Sequence, residues 1–163
     1  MLIRPYTEAD LDRVGWVHSR SRREAYAGLV PEAALASITP ERQAQVWRER
    51  MAAMPDPCAM FVADVDGLVV GFALGRVDGN GTELNAIHVL APQHGCGIGQ
   101  ALLERMAEEF RTWGRTDAHL WVVAGNERAQ AFYRRNGWRQ DGTRSKHDIG
   151  GAEVPIVRYR VDL

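Results

Sequence analysis

The stretch "HGCGIGQALLERM", residues 94–106, constrains this chain more than any other. Gly95, Gly97 and Gly99 alternate along it, and an amphipathic pattern begins where they stop. Ile98, Leu102 and Met106 recur at every fourth residue with Leu103 and Phe110 beside them, which predicts a helix from about Ile98 to Phe110 with one buried face. Glycine costs a helix about 1 kcal/mol per residue relative to alanine, so three at a helix start need a reason. A helix N-terminus carries unpaired N–H groups and about half a positive charge. Anionic oxygens can satisfy those groups only where side chains leave the backbone open. A strand, this turn and a helix therefore read as a cradle for a pyrophosphate. It is not a dinucleotide fingerprint, because the sixth position of a G-x-G-x-x-G frame falls on Gln100 or Leu102. Nor is it a P-loop, which needs a lysine followed by Ser or Thr.

The rest of the chain supplies a scaffold for such a turn. "TEAD" at Thr7–Asp10 reads as a capping box, with a helix after it through Leu11, Val14 and Val17. "AYAGLVP" (residues 25–31) breaks that helix, and "PERQAQVWRERM" predicts a second. "AMFVADV" and "LVVGFALGRV" flank Asp66-Gly67, a hairpin signal, and "GNG" (residues 79–81) is a further turn before "TELNAIHVL". "AHLWVVA" is a short strand. "NERAQAFYRRN" is a helix with Asn126 suited to its N-cap and Gly137 to its C-terminal left-handed position. Two strands close the chain, "WRQDGTRS" and "EVPIVRYRV". Meandering strands precede strand–helix units, so the expected fold is α/β (α+β), a mixed sheet with helices on both faces. A length of 163 residues suits one domain over 1–163.

Two motifs in order are far more specific than one. "HGCGIG" resembles the acetyl-CoA loop of the GNAT superfamily of N-acetyltransferases, with Gly97 and Gly99 at its two small positions. His94 stands where Gln or Arg is usual, and the lead-in from Pro92 is one residue shorter than the typical pattern. Downstream, Asn126, Ala129, Phe132, Tyr133, Gly137 and Trp138 match that family's Asn-x-x-Ala-x-x-Phe-Tyr-x-x-x-Gly-Phe/Trp segment. The resemblance covers roughly residues 60–162.

The resemblance implies a mostly antiparallel central sheet, splayed between its fourth strand ("LNAIHV") and its fifth ("HLWVVA"), with acetyl-CoA as co-substrate in the opening. Backbone groups around Ile87, His88 and Val89 would meet the pantetheine arm, and an N–H at a bulge there would polarise the thioester. His94, Gly95, Cys96, Gly97, Ile98, Gly99 and Gln100 would hold the pyrophosphate, with Asn126 and Tyr133 on the opposite wall. The implied reaction is acetyl transfer to a primary amine of a small molecule or peptide by direct attack in a ternary complex. A CoA-binding sensor or interaction module without turnover is the alternative.

Such a reaction needs a neutral amine, an oxyanion donor and an acid for the leaving thiolate. Residues 126, 129 and 133 share one helical face, so Tyr133 is the candidate acid. Proton transfer from a phenol to a thiolate is uphill by ~1.5 pKa units, about 2 kcal/mol. Glu83 is the candidate base, acting through a water, with His88 as runner-up. Period-two alternation puts these two on opposite strand faces unless a bulge intervenes. Trp16, Tyr26, Asn85 and Trp121 are candidate pocket residues together with "SKHDIGGAEVP". A mostly aromatic lining with few acids would suit a small or weakly charged amine better than a polyamine.

Composition removes other classes. The net charge is -1, so no global basic signal points to nucleic acid and no polybasic patch to a membrane. Cys58 and Cys96 form no CxxC or Cys/His cluster, and His18, His119 and His147 stand isolated, so no metal site is expected. "MLIRPYTEAD" holds no apolar signal core, and a cytoplasmic protein is expected. The final strand "EVPIVRYRV" could pair across a homodimer.

Overall fold

In the computed structural model, which describes residues 1–79 and 81–163, seven strands form one sheet in the order β1-β2-β3-β4-β5-β7-β6. The strands are β1 (Leu2–Pro5), β2 (Cys58–Val65), β3 (Leu68–Asp78), β4 (Gly81–Val89), β5 (Asp117–Val123), β6 (Arg139–Ile149) and β7 (Ala152–Asp162). The helices are α1 (Leu11–Tyr26), α2 (Glu32–Ala36), α3 (Pro40–Ala53), α4 (Ile98–Thr112) and α5 (Glu127–Arg135). Asn80, in the middle of the "GNG" turn, lies outside the described residues.

All neighbouring strands are antiparallel except β4 and β5, which are parallel and meet at one register, Glu83 opposite His119. Beyond that point β4 continues to Val89 and β5 to Val123 without pairing to each other, so the sheet splays between them as the resemblance implies. α1 and α3 cover one face, where Trp47, Val14, Val17 and Phe72 are buried. α4 covers the other, presenting Ile98, Leu102, Met106 and Phe110.

Local chemistry explains the joints. Asp66 and Gly67 both take positive φ (54° and 83°), which a two-residue hairpin requires. Asp10 Oδ2 accepts from the Thr7 N–H at 2.7 Å, closing a single tight turn ahead of α1. The Arg4 guanidinium then grips both Asp10 and Asp64, tying β1 to that turn and to β2. The α1–α3 crossing is close: a Cβ on Gly15 would lie 2.4 Å from the Ala44 backbone nitrogen.

Three expectations change. α1 runs through Ala25 and Tyr26, where a break is predicted, because the turn comes only at Gly28 (φ 76°). α2 is new; its five residues are too few to show a period, yet Ala34 and Leu35 bury against Val123, Ile149 and Val154. β7 cannot offer an edge to a second copy, since β5 and β6 occupy both its sides and β6 is the edge strand. Among the described residues no helix is long and apolar enough to cross a membrane.

Candidate active site

The splay opens into a cleft of about 990 Å³. Its walls come from α1, α3, β4, the glycine turn, β5, α5 and the β6–β7 pair. It falls into two halves, one facing the glycine turn and one facing α1 and α3.

On the first half, Gly95 and Gly97 take φ of +81° and +79°, and a Cβ on either would meet nothing within 4 Å. The backbone there is open. The first bond of the α4 ladder runs from Ala101 N–H to Gly97 C=O at 3.0 Å, so the N–H groups of Ile98, Gly99 and Gln100 precede it. These features fit a pyrophosphate cradle. Gly99 has a different reason: its Cβ would come within 3.1 Å of the Phe132 ring, so its smallness lets α5 approach α4. Cys96 is the exception among the predicted loop residues. It is exposed, does not line the cleft, and its N–H leans on Gln93 C=O at 3.4 Å.

His94 acts through its neighbours. Its Nε2 lies 2.9 Å from the Val89 carbonyl and its Nδ1 lies 3.0 Å from Arg128 Nη1. A carbonyl only accepts and a guanidinium only donates, so the ring is the neutral tautomer with hydrogen on Nε2. His94 thereby ties the end of β4 to Arg128, in the first turn of α5, across the mouth of the cleft. The motif treats position 128 as free, which is why the sequence does not reveal Arg128.

Backbone direction on β4 follows from one bond. Leu90 N–H bonds Val70 C=O at 3.0 Å, and antiparallel ladders alternate, so Ile87 and Val89 turn their N–H and C=O toward the splay. The Val89 carbonyl is taken by His94, leaving its N–H and both groups of Ile87.

On α5, Asn126, Ala129, Phe132 and Tyr133 all line the cleft, as their spacing predicts. Asn126 caps the helix, its Oδ1 accepting from Ala129 N–H at 3.1 Å, and keeps its amide NH₂. The Tyr133 ring is buried between Phe132, Trp138 and Tyr159. Its hydroxyl has no hydrogen-bond partner among the described residues. Burial, and more weakly Tyr26, push the phenol well above its ordinary pKa, so it stays protonated.

The other half holds the candidate bases. Between Leu74 and Gly75 the β3–β4 register shifts and Asn85 becomes the extra residue. The bulge thus lies at Asn85, upstream of the position by Ile87–Val89 that the resemblance implies. It puts Glu83, opposite Arg76, and His88, opposite Phe72, on the same face despite their odd separation. Glu83 Oε2 accepts from Arg76 Nε at 2.7 Å and from Asn85 Nδ2 at 3.1 Å, and Oε1 has no partner among the described residues. His88 stacks on Phe72, touches His18 at 4.6 Å between ring centres, and meets Ser21 Oγ at 2.9 Å. Burial, with repulsion from Arg22, lowers its pKa to about 3. An imidazole whose burial disfavours its protonated form is a weaker candidate base than Glu83.

Tyr26, Asn85 and Trp121 line this half with His147 and Ile156 from the closing strands. Trp16 does not; it lies on the surface under the Arg13 guanidinium, 4.0 Å from its ring centre. The pocket is not mostly aromatic either. Arg22 and Arg50 sit in it, and Glu83 is the one acid lining the whole cleft among the described residues.

Residues 18–138 match the acetyltransferase (GNAT) family. This chain belongs to the GNAT acetyltransferase family. It is 36% identical over 88 residues to an uncharacterized N-acetyltransferase of Mycobacterium tuberculosis, a match covering 53% of this chain and 56% of that one. The match therefore spans about half the length of that relative. An uncharacterized N-acetyltransferase of Methanocaldococcus jannaschii is 29% identical over 158 residues, 96% of this chain and 90% of its own. The fold aligns with PaiA N-acetyltransferase from Thermoplasma acidophilum in complex with coenzyme A at a TM-score of 0.77 and 20% identity, covering 99% and 98% of the two chains.

Proposed function

We propose that the chain is an acetyl-CoA-dependent N-acetyltransferase that moves an acetyl group to a primary amine of a small molecule or peptide by direct attack. The observation that carries this reading is Tyr133, a buried phenol held in its acid form with an unpartnered hydroxyl on a wall of the same cleft as the glycine cradle. The ring is packed in the protein while the hydroxyl opens onto the cleft, where a ligand can accept from it. Family membership and the coenzyme A bound to the Thermoplasma fold relative support the donor.

Acetyl-CoA supplies the activated thioester. The chain's own residues do the rest. The open N–H groups at Ile98–Gln100 and the Arg128 guanidinium receive its pyrophosphate. The Val89 N–H, turned into the splay, is the donor available to a carbonyl oxygen that gains charge. Glu83 Oε1 takes the amine's proton, directly or through water. An amine of pKa ~10.4 costs about 4.6 kcal/mol to neutralise at pH 7, while one near 7.8 costs about 1 kcal/mol, so the single carboxylate is set against very different loads.

The raised phenol sharpens the role of Tyr133. Outright transfer to a thiolate is steeper than the ~1.5 units of unperturbed groups. Tyr133 acts first as a hydrogen-bond donor to the developing charge on sulfur. A thiol-release assay with acetyl-CoA and an amine panel from pH 6 to 9 tests the reading. Amine-dependent release supports it, and tight CoA binding with no release from any amine returns the chain to the class of CoA sensors.

A further inference from the structure

The acceptor half of the cleft carries charge that the transfer of an acetyl group does not itself require. Arg22 projects from the last turns of α1 and Arg50 from the last turn of α3, and both line the cavity. Some of the chain's arginines pair with acids, among them Arg4, Arg76, Arg105 and Arg158; of the arginines that line the cleft, Arg22, Arg50, Arg128 and Arg135, none forms an ion pair among the described residues. Arg22 and Arg50 meet no carboxylate among the described residues. Arg50 Nη2 donates to the Asn85 side-chain oxygen at 2.5 Å and its guanidinium lies 4.6 Å from the Trp47 ring centre. Arg22 lies 5.6 Å from the Tyr26 ring centre.

Both guanidiniums are partly withdrawn from water and repel one another. Burial and the neighbouring Arg76 and Arg22 weaken Arg50's hold on its proton, with Glu83 opposing. On the same wall, burial and Arg22 lower the pKa of His147, with Asp148 opposing. Concentrating unpaired cations in a half-desolvated pocket is costly unless an anion completes it. Arginine's planar fork also matches a carboxylate with two parallel hydrogen bonds.

We infer that the acceptor amine also carries a carboxylate, held by Arg22 and Arg50, so that the substrate class is small amino acids rather than polyamines or other cations. The Asn85 bulge fixes the spacing. Its amide bridges Arg50 on one side and Glu83 on the other, so an anion site and a proton acceptor stand one side-chain amide apart. An amino acid fits that interval, its carboxylate toward the arginines and its amine toward Glu83 Oε1. The same positive field favours the neutral amine by repelling the ammonium form. A polyamine would bring several cations to a cleft with one acid.

The inference rests on the acetyltransferase reading, and the test separates the two. Thiol release is measured with acetyl-CoA and each protein amino acid beside its carboxamide, with spermidine as the cationic probe. Binding of the same amines to the CoA-saturated protein is measured by calorimetry. For the preferred amino acid the free carboxylate should exceed its carboxamide in kcat/KM by about 10-fold or more. Arg22→Gln and Arg50→Gln should each raise KM for the carboxylate by about 10- to 100-fold and bring the carboxylate-over-carboxamide preference in kcat/KM toward unity. Equal or better use of carboxamides or spermidine overturns the inference and leaves the acetyltransferase standing. If no amine releases thiol, the acetyltransferase reading fails and calorimetry decides this one. Amino-acid binding weakened by both substitutions upholds the anion pocket, and binding that is absent or indifferent to them refutes it.

Discussion

In the proposed reaction Tyr133 concentrates the chemistry of the cleft in one side chain. Its ring is fixed among aromatics and its hydroxyl is left for a ligand. Tyr133→Phe keeps the packing and removes only that hydroxyl, so kcat should fall by about 100-fold while CoA affinity is retained. Steady-state kinetics and calorimetry check both halves of that expectation. Gly97→Ala tests the opposite wall. Its φ of +79° strains any Cβ-bearing residue by about 1–2 kcal/mol, and the new methyl projects into open cradle space. CoA binding should weaken beyond the modest loss in unfolding free energy; unaltered affinity would exclude the turn as a phosphate site. The resemblance singles out Tyr133 and Asn126, and helical spacing, a local property, puts both on the face that lines the cleft; glycine's conformational range marks the two open positions of the turn in the same way. Arg128 and the neutral His94 that orders it depend on a contact between residues 34 apart, which no local pattern encodes.

At the scale of elements, the bulge at Asn85 decides what β4 offers. Strict alternation would send Glu83 and His88 to opposite faces. One extra residue brings both into the cleft and puts the Asn85 amide between Glu83 and Arg50. The sequence leaves that possibility open without placing it, since a bulge is set by pairing with β3. α1 and α3 depend on a similar tertiary fact. Gly15 lies against the Ala44 backbone, so Gly15→Ala forces the two helices apart. Chemical denaturation should register a loss of about 2–3 kcal/mol, despite alanine's better helix propensity. Because Arg22 and Arg50 ride on these helices, acceptor KM should rise as well. A variant as stable as the parent would mean the crossing adjusts freely. The α2 turn shows the limit of periodic reading: five residues fold by burial against β5, β6 and β7, not by their own pattern.

The molecule as a whole buries two histidines side by side. Trp47 Nε1 donates to His18 Nδ1 at 3.0 Å, and His88 adjoins it. Burial lowers both pKa values, that of His88 to about 3. In the unfolded chain they titrate near the ordinary value of 6.5, so below that pH the unfolded state binds more protons. Stability should therefore be full above about pH 6.5 and decline toward about pH 3, each histidine contributing up to ~1.4 kcal/mol per pH unit. Urea unfolding at pH 7.5 and 5 measures the slope, and His88→Gln should lower it by one proton's worth. Equal stability at the two pH values would place these rings in contact with water. The sequence marks His18 only as an isolated residue and His88 as a candidate base, and shows neither as buried. Their burial arises from α1, α3 and β4 converging on the wall that also forms the proposed acceptor pocket.

The splay and the face of α5 are legible in advance through the resemblance that two ordered motifs carry, whereas the sheet order that makes β6 rather than β7 the edge is not. Nor is the charge of the pocket, since its arginines come from helices whose outer and inner residues look alike until they pack.

The most direct measurement is initial-rate thiol release from acetyl-CoA, with and without an amine, for the parent protein and Tyr133→Phe. Release that depends on amine and falls by about 100-fold in the variant is the expected result. No amine-dependent release from a protein that binds CoA would contradict catalysis in this cleft.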